Sequence, residues 1–284
     1  MSERGLLPRV QKLAVFDLDK TLLDDHSVLP EATAARIRAV NVSGVACTIA
    51  SGRSFSNIEP FMRQLGWLSV PVVAEQGAVV ADPVDGHMLL ERVVSRDVLL
   101  GSVAIVRTAS FPLNVILYGD GDPQVFRQPD TPCFIKGRDA GWLAEHIRVV
   151  PDDNGIRTGR VRKISVRCPP ENTEEVRRLF VGGLGEHAQA VVADAGYIDV
   201  MDADVDKGTG LQWLMRHLGI QPEHVMAVGD CEADWSMLRV VGVPVAVGNA
   251  DAGTQALARY VVPSNVEYGG AIALERFAAG EFGI

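Results

Sequence analysis

Paired cysteines are missing from this chain. Its four, Cys47, Cys133, Cys168 and Cys231, stand too far apart to form a CxxC metal clip or redox pair. They read as free thiols in a reducing compartment. Long apolar runs are missing too: none reaches the roughly 20 residues of a membrane span. Met1 to Lys12 lacks the apolar core of a signal peptide. The expectation is a cytoplasmic protein. Positive charge is in deficit, with 27 Lys and Arg against 36 Asp and Glu, a net charge of −9. That sets aside nucleic acid and an anionic membrane surface as main partners. There is no internal repeat, and no pattern reports an oligomeric state.

What remains is an ordinary globular profile, 47% hydrophobic and 22% charged over 284 residues. The length suits one large domain or two smaller ones. The first third alternates strand and helix. Strands are predicted at Leu13–Phe16, Val45–Ala50 and Val70–Ala74, with helices at Pro30–Val40 and Ser54–Leu65 between them. This βαβαβ order implies a parallel sheet. The last third resumes it. Helices are predicted at Gly210–Leu218, Glu232–Val240, Thr254–Arg259 and Gly270–Ala278, and strands at Val225–Val228, Val243–Val247 and Tyr260–Val262. The middle differs. Asp85-Gly86 is a turn signal. Asn114–Tyr118 and Val161–Arg167 read as strands, the second with one exposed face marked by Ser165 and Arg167. Helical patterns occur at Gly141–Ile147 and Glu171–Phe180. The whole reads as a doubly wound α/β core, 1–82 with 195–284, interrupted by an α+β insertion, 83–194.

Asp17-Leu18-Asp19-Lys20-Thr21 follows the first strand directly. In open α/β sheets, chemistry collects just beyond the carboxyl ends of the strands. Two carboxylates that close raise each other's pKa unless a cation sits between them. Mg²⁺ would remove the conflict, because hard cations prefer oxygen ligands. One Asp could then act as nucleophile and the other as acid/base. A simple turn cap is the other reading. Ser51-Gly52-Arg53 follows the second strand at the same sheet edge, where a hydroxyl and helix N–H groups suit a phosphate oxygen. An ordinary N-cap is the alternative.

Lys207 precedes a helical stripe, where a cation opposes the helix dipole by ~0.3–1 kcal/mol. A bound anion would explain it; so would a side chain reaching solvent. Asp230 ends a strand, and Asp234 follows four residues on at a helix start. The pair suits a metal ligand with a second carboxylate beside it, or a helix cap. The order acid pair, Ser-Gly, Lys, acid pair supplies a nucleophile, an acid/base, a phosphate cradle and a metal site together.

In these motifs the chain resembles the haloacid dehalogenase superfamily of phosphatases. Asp17 to Leu23 looks like its first motif, Ser51 its second, Lys207 its third and Gly229-Asp230 through Asp234 its fourth. Glu75-Gln76-Gly77-Ala78 and Val247-Gly248-Asn249-Ala250 look like the Cof-type (class IIB) branch. The resemblance implies that Asp17 is a nucleophile forming an aspartyl-phosphate. Asp19 would protonate the leaving oxygen and then activate water. Ser51 and Lys207 would hold the phosphoryl group, with Gly52, Arg53 and Asn249 touching substrate or bracing the site. Asp17, the backbone carbonyl of Asp19, Asp230 and Asp234 would bind Mg²⁺, and Thr21 would orient the Asp19 loop. Lys20 stands where Gly is usual, Gln76 and Ala233 where Asn is, and Cys231 where Gly is.

The implied function is hydrolysis of small phosphate monoesters, such as sugar phosphates or phosphoglycolate-like acids. A phosphomutase and a non-catalytic regulator that binds a phosphorylated metabolite are the alternatives. The insertion would be a cap that sets specificity. Within it, Arg92, Arg160, Arg162 and Lys163 could meet an anionic leaving group, but a solvated face is the expectation. Trp142 is expected in the cap core.

Overall fold

Leu13-Ala14-Val15-Phe16 carries no polar side chain, so a strand built from it needs cover on both faces. The computed structural model describes residues 10–40, 44–120, 124–127, 148–150 and 160–283, and in it that strand has both. In chain order the elements begin with β1 (Lys12–Phe16), α1 (Glu31–Val40), β2 (Val45–Ile49), α2 (Phe55–Leu65), β3 (Val72–Ala74), β4 (Val79–Ala81) and β5 (Met88–Glu91). There follow α3 (Arg96–Thr108), β6 (Asn114–Gly119), β7 (Gln124–Arg127), β8 (Arg148–Val150), β9 (Val161–Arg167), α4 (Thr173–Leu184), β10 (Ala188–Asp194) and β11 (Tyr197–Asp202). The chain closes with α5 (Lys207–Leu218), β12 (Val225–Gly229), α6 (Trp235–Arg239), β13 (Val243–Ala246), α7 (Ala252–Leu257), β14 (Tyr260–Val261) and α8 (Gly269–Ala278).

Two compact units emerge, Met1–Leu90 with Asp206–Ile284, and Glu91–Val205. These junctions lie beyond 82/83 and 194/195. The second shift has a clear cause: β11 pairs with both β10 and β9, so 197–202 stays with the inserted unit.

The first unit is built on a parallel sheet in the order β14-β13-β12-β1-β2. Ala14 and Phe16 pack on one side with Ile37, Ile49 and Phe277. Leu13 and Val15 pack on the other with Leu211, Leu214 and Met237. This is the doubly wound α/β arrangement. The third expected parallel strand departs from it. One parallel bridge, Ala50 to Val73, ties β3 to the end of β2. The chain then turns back as β4, antiparallel to β3. Positive φ at Glu75, Gln76 and Gly77 makes that reversal.

Local chemistry sets the helix ends. Asp206 caps α5 by accepting from the Thr209 backbone N–H at 2.7 Å, and Thr209 Oγ1 accepts from the Asp206 N–H. The helix therefore starts at Lys207, earlier than Gly210. Glu232–Asp234 is a 3₁₀ turn, and α6 proper begins at Trp235. Asp251 caps α7, which begins at Ala252 rather than Thr254.

In the inserted unit, a six-stranded sheet in the order β10-β11-β9-β6-β7-β8 packs its Val115, Leu117, Ile164, Val166 and Ile198 with Val103, Val106, Val176 and Phe180 of α3 and α4. All its pairs are antiparallel except β7 with β8. The expected solvated face of β9 is absent, because every residue from Val161 to Arg167 is buried. Arg162 is satisfied by Glu91 and Asp120, and Lys163 by Asp199 at 3.2 Å. Arg160 is exposed and pairs with Glu91; Arg92 pairs with Asp204. The Gly141–Ile147 helix, Trp142 and Cys133 lie outside the described residues. Cys47, Cys168 and Cys231 are free thiols. No described helix is long and apolar enough to cross a membrane.

Candidate active site

Asp17 is the first residue beyond β1, and its N–H donates to Val228 O on β12 at 3.0 Å. That bond fixes it beside the loop holding Asp230 and Asp234. Lys207 reaches the same point from the first turn of α5. Gly208 lets that turn approach closely, since a Cβ there would lie 2.4 Å from Ser236 O. Gly77 does the same for the residue before: a Cβ on it would lie 1.9 Å from Asp206 O.

The centre of the site is buried. Lys207 Nζ donates to Asp17 Oδ1 at 2.6 Å and to Asp234 Oδ1 at 2.7 Å. Asp234 Oδ2 accepts from the N–H groups of Asp230 at 2.8 Å and Cys231 at 3.3 Å. Both oxygens of Asp234 are thus engaged. Thr21 Oγ1 donates to Asp230 Oδ1 at 3.3 Å, so Thr21 orients Asp230 rather than the Asp19 loop.

Electrostatics follow from burial. Desolvation, against the pull of Lys207 and with the push of Asp234 and Asp19, raises the Asp17 carboxyl to about 7. Desolvation with Asp234 and Asp17 raises Asp230 to about 8, against Lys207 and Lys20. Burial alone would lower Lys207, but Asp17 and Asp234 hold it well above the ordinary ammonium range. One ammonium does not offset three carboxylates, and the surplus is what a divalent cation would neutralise. Ligand atoms of Asp230, Cys231 and Asp234 lie within 4.8 Å of one another. Burial and the two carboxylates push the Cys231 thiol far up.

Asp19 points elsewhere. Arg53 grips it with Nε to Oδ2 at 2.8 Å and Nη2 to Oδ1 at 2.5 Å, and Ser27 Oγ donates to Oδ1 at 3.2 Å. Burial pushes Asp19 up, but these contacts outweigh it and hold the carboxyl below its ordinary range. The Asp19 side chain is 48% exposed. Ser51 is buried, accepts from the Arg53 N–H at 3.3 Å, and its own N–H donates to Val73 O. Gly52 separates the two.

Asn249 braces loops. Its Nδ2 donates to Lys20 O at 2.8 Å, and its Oδ1 accepts from the Asn265 N–H at 2.8 Å. Lys20 and Gln76 both adopt φ 58, which explains why small or turn-forming residues suit those positions. Arg53 stands in the Ser51-Gly52-Arg53 motif, but nothing in the sequence pairs it with Asp19, and Ser27 carried no signal at all.

Residues 14–274 match the haloacid dehalogenase-like hydrolase family. The chain belongs to that family. An HMP-PP phosphatase of Serratia proteamaculans is 30% identical to this hydrolase over 258 residues, 84% of each chain. A chloroplastic endoribonuclease YBEY of Arabidopsis thaliana is 27% identical over 273 residues, 92% of this hydrolase but 46% of that longer protein. A solved subclass IIB sugar phosphatase of the superfamily superposes with a TM-score of 0.79 over 94% of this chain and 98% of its own. At 21% identity that likeness is one of fold. The phosphatase class expected from the motifs agrees with the family membership and with the HMP-PP phosphatase.

Proposed function

We propose that this hydrolase is a Mg²⁺-dependent phosphatase of small phosphate monoesters, working through an aspartyl-phosphate on Asp17. The observation that carries the reading is the buried Lys207 ammonium, 2.6 Å from Asp17 Oδ1 and fixed from behind by Asp234. It aligns the carboxylate and leaves a cation beside the place where phosphoryl charge develops.

The Asp17 carboxylate attacks phosphorus, and the leaving oxygen departs with a proton from Asp19. Water then gives a proton to Asp19 and attacks the same phosphorus, releasing phosphate and restoring Asp17. Splitting one slow displacement into two is the gain from covalent catalysis. Ser51, the Gly52 backbone and Lys207 hold the phosphoryl oxygens. Arg53 keeps Asp19 ionised, the form needed for the second step. Asp19 gains its proton for the first step only as that grip loosens.

The donor set fits a hard cation: Asp17, Asp230 and the Asp19 carbonyl offer oxygen, and the surplus negative charge is already there. When bound, Mg²⁺ supplies positive charge against the phosphoryl oxygens. Asp234, with both oxygens engaged, serves as the anchor of Lys207 and of the loop. The inserted unit, 91–205, is read as the specificity cap. The name of the solved sugar phosphatase supports sugar phosphates as one candidate class, and that of the HMP-PP phosphatase supports a phosphorylated small molecule more broadly.

The test is phosphate release from a panel of phosphomonoesters, with Mg²⁺ and with chelator, by wild type and Asp17→Asn. Metal-dependent release that disappears in the variant is expected. Equal release by both proteins would sink the reading.

A further inference from the structure

Three cations of β9 are buried, and two are matched. Arg162 meets Glu91 and Asp120, and Lys163 meets Asp199. Arg167 is the exception. It is 8% exposed, and no carboxylate among the described residues comes within ion-pair distance. Among the described residues its hydrogen bond is a long one, from Nη1 to Val166 O on its own strand at 3.4 Å, and its buried Nε–H has no acceptor. The guanidinium stacks 3.8 Å above the ring of Tyr197, its neighbour on β11. Asn114, fully buried, faces it from β6.

Taking a charge out of water without a partner is costly. An unsatisfied buried donor in a native protein calls for an explanation, such as a missing ion. Stacking on Tyr197 orders the guanidinium plane, which leaves its edge for in-plane contacts. That edge matches a carboxylate or phosphate.

We propose that Arg167 is the anchor of an oxyanion site on the sheet of the inserted unit, with the Tyr197 ring as its platform. The ligand is a separate small anion bearing a carboxylate or a phosphate. The site stands on unit 91–205 alone and does not depend on the reading of Asp17.

The test follows the Tyr197 resonance by NMR of ¹³C-tyrosine-labelled full-length protein, assigned with Tyr197→Phe, during titration with malonate and with inorganic phosphate. A saturable shift is expected in wild type and at least tenfold weaker binding in Arg167→Met. Thermal unfolding without anion is expected to be no lower in Arg167→Met, since the apolar chain keeps the stack. No saturable shift in wild type, or equal affinity in the variant, overturns the proposal.

Discussion

Lys207 and Asp17, 190 residues apart in the chain, meet at 2.6 Å inside the first unit. The ammonium is shared with Asp234, so one side chain holds together the loops after β1 and β12 and the start of α5.

Removing that ammonium strands two buried carboxylates. Lys207→Met is expected to cost about 3–5 kcal/mol at pH 8, as for other buried pairs broken on one side. The cost shrinks at pH 5, where Asp17 takes up a proton and no longer needs a cation. Urea denaturation at both pH values checks this; an equal loss at each would argue against it.

The raised carboxyls also set a pH dependence. Asp17 and Asp230 titrate near 7 and 8 in the folded protein against 3.8 when unfolded. Between those values the native state binds more protons, so stability falls as pH rises through that window. Their contribution is fully favourable below about pH 4 and lost by about pH 8. Chelated protein should therefore melt at progressively lower temperature from pH 5 to 8.5. Mg²⁺ should restore stability most at the alkaline end and release protons on binding. Melting curves, and calorimetry in buffers of different ionisation enthalpy, read both effects. A flat profile in chelator would contradict the charge surplus.

The Arg53 fork predicts a kinetic signature. Arg53→Gln removes the contacts that hold Asp19 low, so the alkaline limb of the kcat/KM profile, set by the need for a protonated Asp19 in the first step, should move to higher pH. Arg53→Lys keeps the charge but not the fork and should move it less. The rate loss should be roughly tenfold, short of the 10²–10⁴ that loss of a whole acid–base group costs. An unmoved limb in Arg53→Gln would show that Asp19 is not the group titrating.

Lys20 holds φ 58, a left-handed conformation that costs a residue with a Cβ roughly 1–2 kcal/mol. Lys20→Gly relieves this and should stabilise the protein by about 0.5–1 kcal/mol after glycine's own entropy cost. It also removes a charge that favours ionised Asp230, so Mg²⁺ affinity should change while melting temperature rises. Destabilisation would mean that the Lys20 side chain contributes more than its backbone costs.

The chain's local pattern was enough to set each acid, hydroxyl or cation of the site at a strand end or helix start. An apolar run followed at once by a polar residue marks where a buried strand must emerge. It could not say how those residues pair. Asp19 is held by Arg53 from 34 residues away, and Asp234 spends both oxygens on Lys207 and two backbone N–H groups. These contacts depend on which strands lie side by side, and spacing along the chain does not encode that. The charges of β9 carry the same lesson. Arg162 and Lys163 looked solvated because short runs of charge usually are, and Ser165 with Arg167 marked one exposed face because alternation reports which side of a strand is polar. Whether that side meets water depends on what the fold brings against it: acids from β5, β11 and the loop after β6 for two of them, and the ring of Tyr197 for Arg167.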